Sequence, residues 1–175
     1  MILGRVNKGG ARKKRPFLFY GDAAISGFAH EHIAAGILMK RYGNVSLVDL
    51  PLSPYDIVIV YKKDRGEDIV RAQVKTAKYS ISFTGGTRGG VDRTYKSGVK
   101  TYTQSTETCD VVIGLHPHND SYDLYFVPTI LIEKLGQGSI SLSKIDALKN
   151  NYEMLDNCKN ANFVISSAKK YGIIT

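Results

Sequence analysis

Apolar positions first recur at helical spacing between residues 22 and 42. Ile25, Phe28, Ala29, His32, Gly36 and Met39 fall on one stripe, which the spacing predicts to be the packing face of a helix. Asp22 suits its N-cap, and Gly43-Asn44 suits its end. Residues 45–50 alternate weakly and predict a short strand, after which Pro51 and Pro54 bar regular structure between them. The pattern then changes period. Residues 56–61 are continuous and β-branched, as in a strand buried on both faces. A charged turn with Gly66 follows over residues 62–68, and residues 69–76 return as a second strand, so a hairpin is predicted. With the turn centred near residues 64 and 65, Asp56 falls opposite Gln73. Residues 110–115 and 122–128 predict two more strands around a polar turn, and Pro128 opens a helical turn through Leu135. Ile145, Leu148, Tyr152 and Leu155 predict an amphipathic helix over residues 144–157, and residues 163–165 an edge strand.

At 175 residues, with 43% apolar and 23% charged residues, the chain suits one soluble domain of moderate size. No run approaches a membrane span, and the basic N-terminus has no apolar stretch of the kind a secretory signal needs. Cys109 and Cys158 lie far apart without a CxxC spacing, which predicts a reducing, cytoplasmic setting and two half-buried thiols in preference to a disulfide.

Charge changes the picture because it is unevenly placed. Of the net +8, residues 1–15 contribute +6 and residues 71–106 another +6, against −4 for the remainder. Such a distribution presents a basic face to a polyanion, and nucleic acid is the commonest one. Residues 1–16 read as a basic, flexible N-terminal arm preceding a domain over residues 17–175, with Arg12, Lys13, Lys14 and Arg15 as candidate DNA contacts. In the second segment Lys78, Arg88, Arg93, Lys96 and Lys100 interleave with Tyr79, Tyr95 and Tyr102, and Tyr95 joins those cations as a candidate DNA contact. Packing of the tyrosines on one another is the alternative. The glycine-rich residues 84–90 match neither GxxxxGK[ST] nor GxGxxG and read as a loop.

One constellation carries chemistry. Glu31 sits on the first helix with small residues, Gly27 and Ala35, four positions to either side. Asp56 opens the first hairpin strand. Gln73 and Lys75, two apart on the second, share a face, while Val74 between them points to the core. A carboxylate opposite an amide oxygen, with an ammonium beside it, suits a hard divalent cation, Mg2+ or Mn2+ in preference to zinc. Lys75 could then hold the phosphate or the attacking water. The histidines make a poorer metal site: His30 and His32 diverge on a helix, and His116 and His118 fall in a polar turn. No GxSxG elbow supports a serine hydrolase.

The order helix Glu, strand Asp and Gln-x-Lys resembles the PD-(D/E)XK nuclease superfamily, and within it the group I intron homing endonuclease branch. The resemblance rests on Gly27–Glu31, Pro54-Tyr55-Asp56 and Gln73-Val74-Lys75-Thr76, and further on Asp110-Val111-Val112 and Tyr125-Phe126-Val127-Pro128, over about residues 21–130. It implies an α/β fold with a restriction-endonuclease-like core, a mixed β-sheet flanked by helices. It also implies a Mg2+-dependent endonuclease acting on double-stranded DNA as a homodimer or homotetramer. Asp56 would be the central metal ligand, joined by the Gln73 side-chain oxygen, the Val74 carbonyl and Glu31, directly or through water. Lys75 would position water and stabilise charge on phosphorus. Two departures stand out: Tyr55 occupies the position of the signature proline, and Gln73 that of an acidic ligand, which leaves the cation one negative charge short. A restriction enzyme or a Holliday-junction resolvase would use the same site. A nucleic-acid-binding module without catalysis would retain the fold alone.

Overall fold

The computed structural model describes residues 22–50, 53–63, 66–86, 101–118 and 121–175. In chain order the elements are α1 (Asp22–Tyr42), β1 (Val45–Leu47), β2 (Ile57–Lys63), β3 (Gly66–Thr76), β4 (Ser80–Ser82), β5 (Thr84–Gly85), β6 (Tyr102–Thr103), β7 (Val111–His118), β8 (Ser121–Pro128), α2 (Thr129–Leu135), β9 (Ser139–Ser141), a 3-10 segment (Leu142–Leu148), α3 (Tyr152–Asp156) and α4 (Ala161–Lys170). Among these residues a five-stranded sheet runs in the order β1-β2-β3-β7-β8. β3 and β7 are parallel and the other neighbours antiparallel, so the sheet is mixed, and helices flank it. The fold class is the α/β one expected.

The sheet divides the core in two. Ile57, Ile59, Ala72, Val74, Val111, Ile113 and Leu115 face α1 and α3, whereas Val112, Val127 and Ala77 face β4, β9, α2 and α4. Burying both faces explains why these strands are near-continuous Val and Ile rather than alternating. Close packing on the second face fixes one glycine. A Cβ at Gly114 would run into the Ile81 side chain, with Ala77 Cβ also 3.5 Å away.

Several expectations are corrected. The predicted stripe of α1 is its outer face: Ile25 and Phe28 are 64% and 62% exposed, and Ala29, His32, Gly36 and Met39 are exposed as well. The helix packs instead through Ala34, Ala35 and Leu38, with Ile33 and Ile37 beside them. α1 is apolar on two faces, and the one through Ala34, Ala35 and Leu38 is pressed to the sheet. The helix predicted over residues 144–157 is broken. Asn150 takes a positive φ of 51° and plugs the edge of β8, its N–H donating to Leu124 O and its Oδ1 accepting from Leu124 N. Asn151 then N-caps α3 by accepting from Met154 N. Residues 163–165 form no edge strand. They lie in α4, whose first turn Asn160 caps by accepting from Phe163 N at 3.1 Å. The thiols are more deeply placed than expected: Cys109 and Cys158 are free and fully buried, in separate halves of the core. Burial pushes each up to about 12. Among the described residues no helix is long and apolar enough to cross a membrane.

Gly114→Val should destabilise the protein by roughly 1–3 kcal/mol, the usual cost of overpacking. A lowered urea midpoint at unchanged slope would show it, and an unchanged midpoint would mean that β4 gives way freely.

Candidate active site

The β2–β3 hairpin builds the site. Its register pairs Ile57 with Ala72, so Asp56, one residue before β2, stands across from Gln73 as the turn position predicts. Asp56 continues the ladder by donating its N–H to Ala72 O at 2.9 Å, and its carbonyl accepts from Val48 N at 2.8 Å. Upstream, Ser53 Oγ donates to Tyr55 O at 2.6 Å and accepts from Tyr55 N, which fixes the bend that Pro54 initiates. The Asp56 carboxylate is thus held from its own backbone.

Its Oδ2 accepts from Val74 N at 2.8 Å and from Gln73 Nε2. Gln73 therefore meets Asp56 through its amide N–H, not through the oxygen that the ligand role requires; Nε2 also reaches Val74 O at 3.3 Å. The Gln73 oxygen points away, accepting from Gln104 Nε2 at 3.2 Å. Gln104 is fully buried.

Glu31 comes from α1. Beside it, His30 shares a 2.7 Å hydrogen bond between Nδ1 and Thr76 Oγ1, which pins this part of the helix to the end of β3. Glu31 and Asp56 lie close enough to repel each other, and both lie close enough to Lys75 to be stabilised by its ammonium. Burial, then Asp56, pushes the Glu31 carboxyl above the usual glutamate range, while His32 and Lys75 pull it back. Burial likewise pushes Asp56 up, against the Val74 N–H and Lys75. The structure thus brings Glu31, Asp56, Gln73, Val74 and Lys75 into one neighbourhood.

The donor set is hard. Among the described residues no three His, Cys, Asp or Glu side chains form a metal cage. What the site offers is two carboxylates whose protons are held too tightly, an amide and a backbone carbonyl. Burial disfavours ionising both carboxyls, and a cation would offset that cost, so the chemistry of the site fits Mg2+ or Mn2+, provided that the Gln73 amide turns its oxygen inward.

Sequence reasoning missed three supports. Gln104 carries no local signal, because its role depends on a distant segment reaching β3. Arg71, counted above with the basic segment, is not a free cation. It pairs with Asp110 at 2.9 Å through Nη2 and 3.2 Å through Nε, and caps the carbonyls of Thr106 and Glu107. Asp110 also accepts from Arg71 N at 2.8 Å, locking the start of β7 to β3. His30 read only as a non-ligand. Of the candidate DNA contacts, Lys78 is exposed, with its ammonium 5.3 Å from the centre of the Tyr79 ring. Arg12, Lys13, Lys14, Arg15, Arg88, Arg93, Tyr95, Lys96 and Lys100 lie outside the described residues.

No protein-family model matches the chain. No curated protein matches its sequence. Among solved structures it is similar to a bacterial homing endonuclease, I-Ssp6803I, with a TM-score of 0.50 and 16% identity, over 70% of this chain and 78% of that one. The fold is homing-endonuclease-like. At this identity the likeness is one of architecture.

Because both carboxyls titrate high, the folded state holds protons that the unfolded chain has already released. Their stabilising contribution is present at low pH and is lost as pH rises through the raised values. Asp56→Asn should therefore raise the Tm at pH 7, with the gain shrinking as pH falls toward the ordinary aspartate value of 3.8. Thermal unfolding across pH checks this, and a lower Tm at pH 7 would show that Lys75 outweighs burial.

Proposed function

We propose that the protein is a Mg2+-dependent endonuclease that hydrolyses phosphodiester bonds of double-stranded DNA, with Mn2+ able to substitute. The observation that carries the reading is the pairing of Asp56 with the Gln73-Val74-Lys75 strand. The Asp56 carboxylate, held by the Gln73 and Val74 N–H groups, and Glu31 are each within electrostatic reach of the Lys75 ammonium there, at the end of a sheet whose fold resembles that of a homing endonuclease. Asp56, Glu31, the Gln73 oxygen and the Val74 carbonyl would hold the cation. Bound Mg2+ polarises the phosphate and eases ionisation of water. Lys75 orients that water and meets charge on the phosphate oxygens. Water oxygen bonds to phosphorus as the bond to the 3′ oxygen breaks; the attacking water gives up a proton to solvent and the departing 3′ oxygen takes one from it, leaving a 5′-phosphate and a 3′-hydroxyl.

The basic segments provide sequence-independent attraction to the backbone, so binding should weaken steeply with salt. One chain provides one such site, so a double-strand cut calls for a homodimer or homotetramer. A site-specific, homing-type activity fits the motifs and the fold. A restriction enzyme or a Holliday-junction resolvase would share the chemistry. The Gln73 N–H on Asp56 favours a second reading, a DNA-binding module without catalysis, because that contact satisfies the carboxylate without a cation.

Cleavage of plasmid, a long mixed-sequence duplex and a four-way junction, with and without Mg2+, separates these readings. We expect Mg2+-dependent cuts in duplex DNA, complete loss for Asp56→Ala and a loss of about 10²–10³-fold for Lys75→Met, the scale of removing one preorganised charge stabiliser. Structure-dependent nicks confined to the junction would move the assignment to a resolvase. Equal inactivity of wild type and variants, with salt-sensitive binding retained, would favour the binding module.

A further inference from the structure

Behind the candidate ligands runs a chain of buried polar groups whose polarity is set at one end. Gln104 Nε2 lies 3.2 Å from Pro54 O and 3.2 Å from Gln73 Oε1. A carbonyl only accepts, so Pro54 obliges Gln104 to present its N–H there. That N–H takes the Gln73 oxygen, which leaves the Gln73 N–H for Asp56. At the other end Gln104 Oε1 accepts from Thr108 Oγ1 at 2.6 Å and from Cys109 Sγ at 3.4 Å. Every buried side-chain polar atom among the described residues has a partner in this arrangement.

We propose that Gln104 is a positioning residue that decides which end of the Gln73 amide faces Asp56, and that the two amides turn over together when the site takes up its cation. The proposal rests on the endonuclease reading above. For Gln73 to offer its oxygen, its NH2 must swing toward Gln104. Buried donors without acceptors are costly, so Gln104 must present its own oxygen in turn. Its NH2 then faces Thr108. The Thr108 hydroxyl permits this because it has a second acceptor, Ser105 O at 2.9 Å, to which it can donate while accepting from Gln104. Pro54 O loses its donor and the Cys109 thiol its acceptor, while Asp56 and Val74 O exchange the Gln73 N–H for the cation; the two uncompensated losses hold the pair in the ion-free arrangement until a cation arrives. A Gln73 with no partner at position 104 would favour the ion-free arrangement still more. There only its oxygen is orphaned, because Asp56 and Val74 O still accept from its nitrogen. In the ion-bound arrangement the whole NH2 group is orphaned.

The chain has three glutamines, Gln73, Gln104 and Gln137, and Gln137 is exposed. Glutamine-selective 15N labelling of the full chain therefore gives three side-chain NH2 pairs, one of them a solvent reference. In a titration with Mg2+ alone, the Gln73 and Gln104 pairs should shift together with one midpoint, Gln137 should stay still, and Asp56→Ala should abolish both shifts. Gln104→Met should raise the Mg2+ midpoint about 10–100-fold, the usual cost of losing a partner behind a metal ligand. An Asp56-dependent shift of Gln73 while Gln104 stays still, or an unchanged midpoint in a folded Gln104→Met, would overturn the coupled turnover and leave the endonuclease reading standing. If neither pair responds to Mg2+ in an Asp56-dependent way, both fall together.

Discussion

Everything at the site depends on the register of one hairpin. Pairing Ile57 with Ala72 sets Asp56 against Gln73, turns Val74 into the core and leaves Lys75 on the same side as Gln73. A slip of one residue would exchange the two faces of β3, burying the lysine and exposing the valine. The apolar face under α1 forbids that slip, because Ile57, Ile59, Ala72 and Val74 together fill it. The same packing that stabilises the domain thereby aims its chemistry. What the arrangement costs is visible in the two carboxyls, both held above their usual range by burial. Strain of this kind at a site, compensated elsewhere in the fold, is a common mark of function.

The hairpin was legible in the sequence because its signals are local. A β-branched run, a charged turn with Gly66 and a second strand-sized run leave little freedom, and the turn position alone sets Asp56 opposite Gln73, as the register has it. The limits of α1 and the strands either side of the turn after β7 were readable for the same reason. Misreadings arose wherever a competing partner decided the outcome. α1 has two apolar stripes, and only contact with the sheet selects the one through Ala34 and Leu38. Ile145, Leu148, Tyr152 and Leu155 keep helical spacing, yet Asn150 finds a better use on the edge of β8. In α4, Phe163, Val164 and Ile165 look like a strand until Asn160 is recognised as a cap.

The site residues divide in the same way. Asp56, Gln73 and Lys75 belong to one hairpin, whereas Gln104 and the Arg71–Asp110 pair join segments more than 30 residues apart in sequence. Asp110 shows how a residue with a familiar place in a motif can have a mechanical task. Its carboxylate holds the guanidinium and backbone of Arg71, seaming β7 to β3 directly behind Gln73. The charge count from composition treats Arg71 as a free cation, whereas it is committed to Asp110.

The parallel seam between β3 and β7 has a topological consequence. Parallel neighbours need a crossover, and here the chain between β3 and β7 includes most of the basic stretch of the sequence. The short β5–β6 ladder, Thr84 with Thr103 and Gly85 with Tyr102, clips the two ends of residues 86–101 together. Lengthening a segment whose ends are already held together costs little further entropy, and β6 leads directly into Gln104, the partner of Gln73. The architecture thus sets a sheet that carries Asp56 and Gln73 apart from an insertion whose two ends the β5–β6 ladder fastens together.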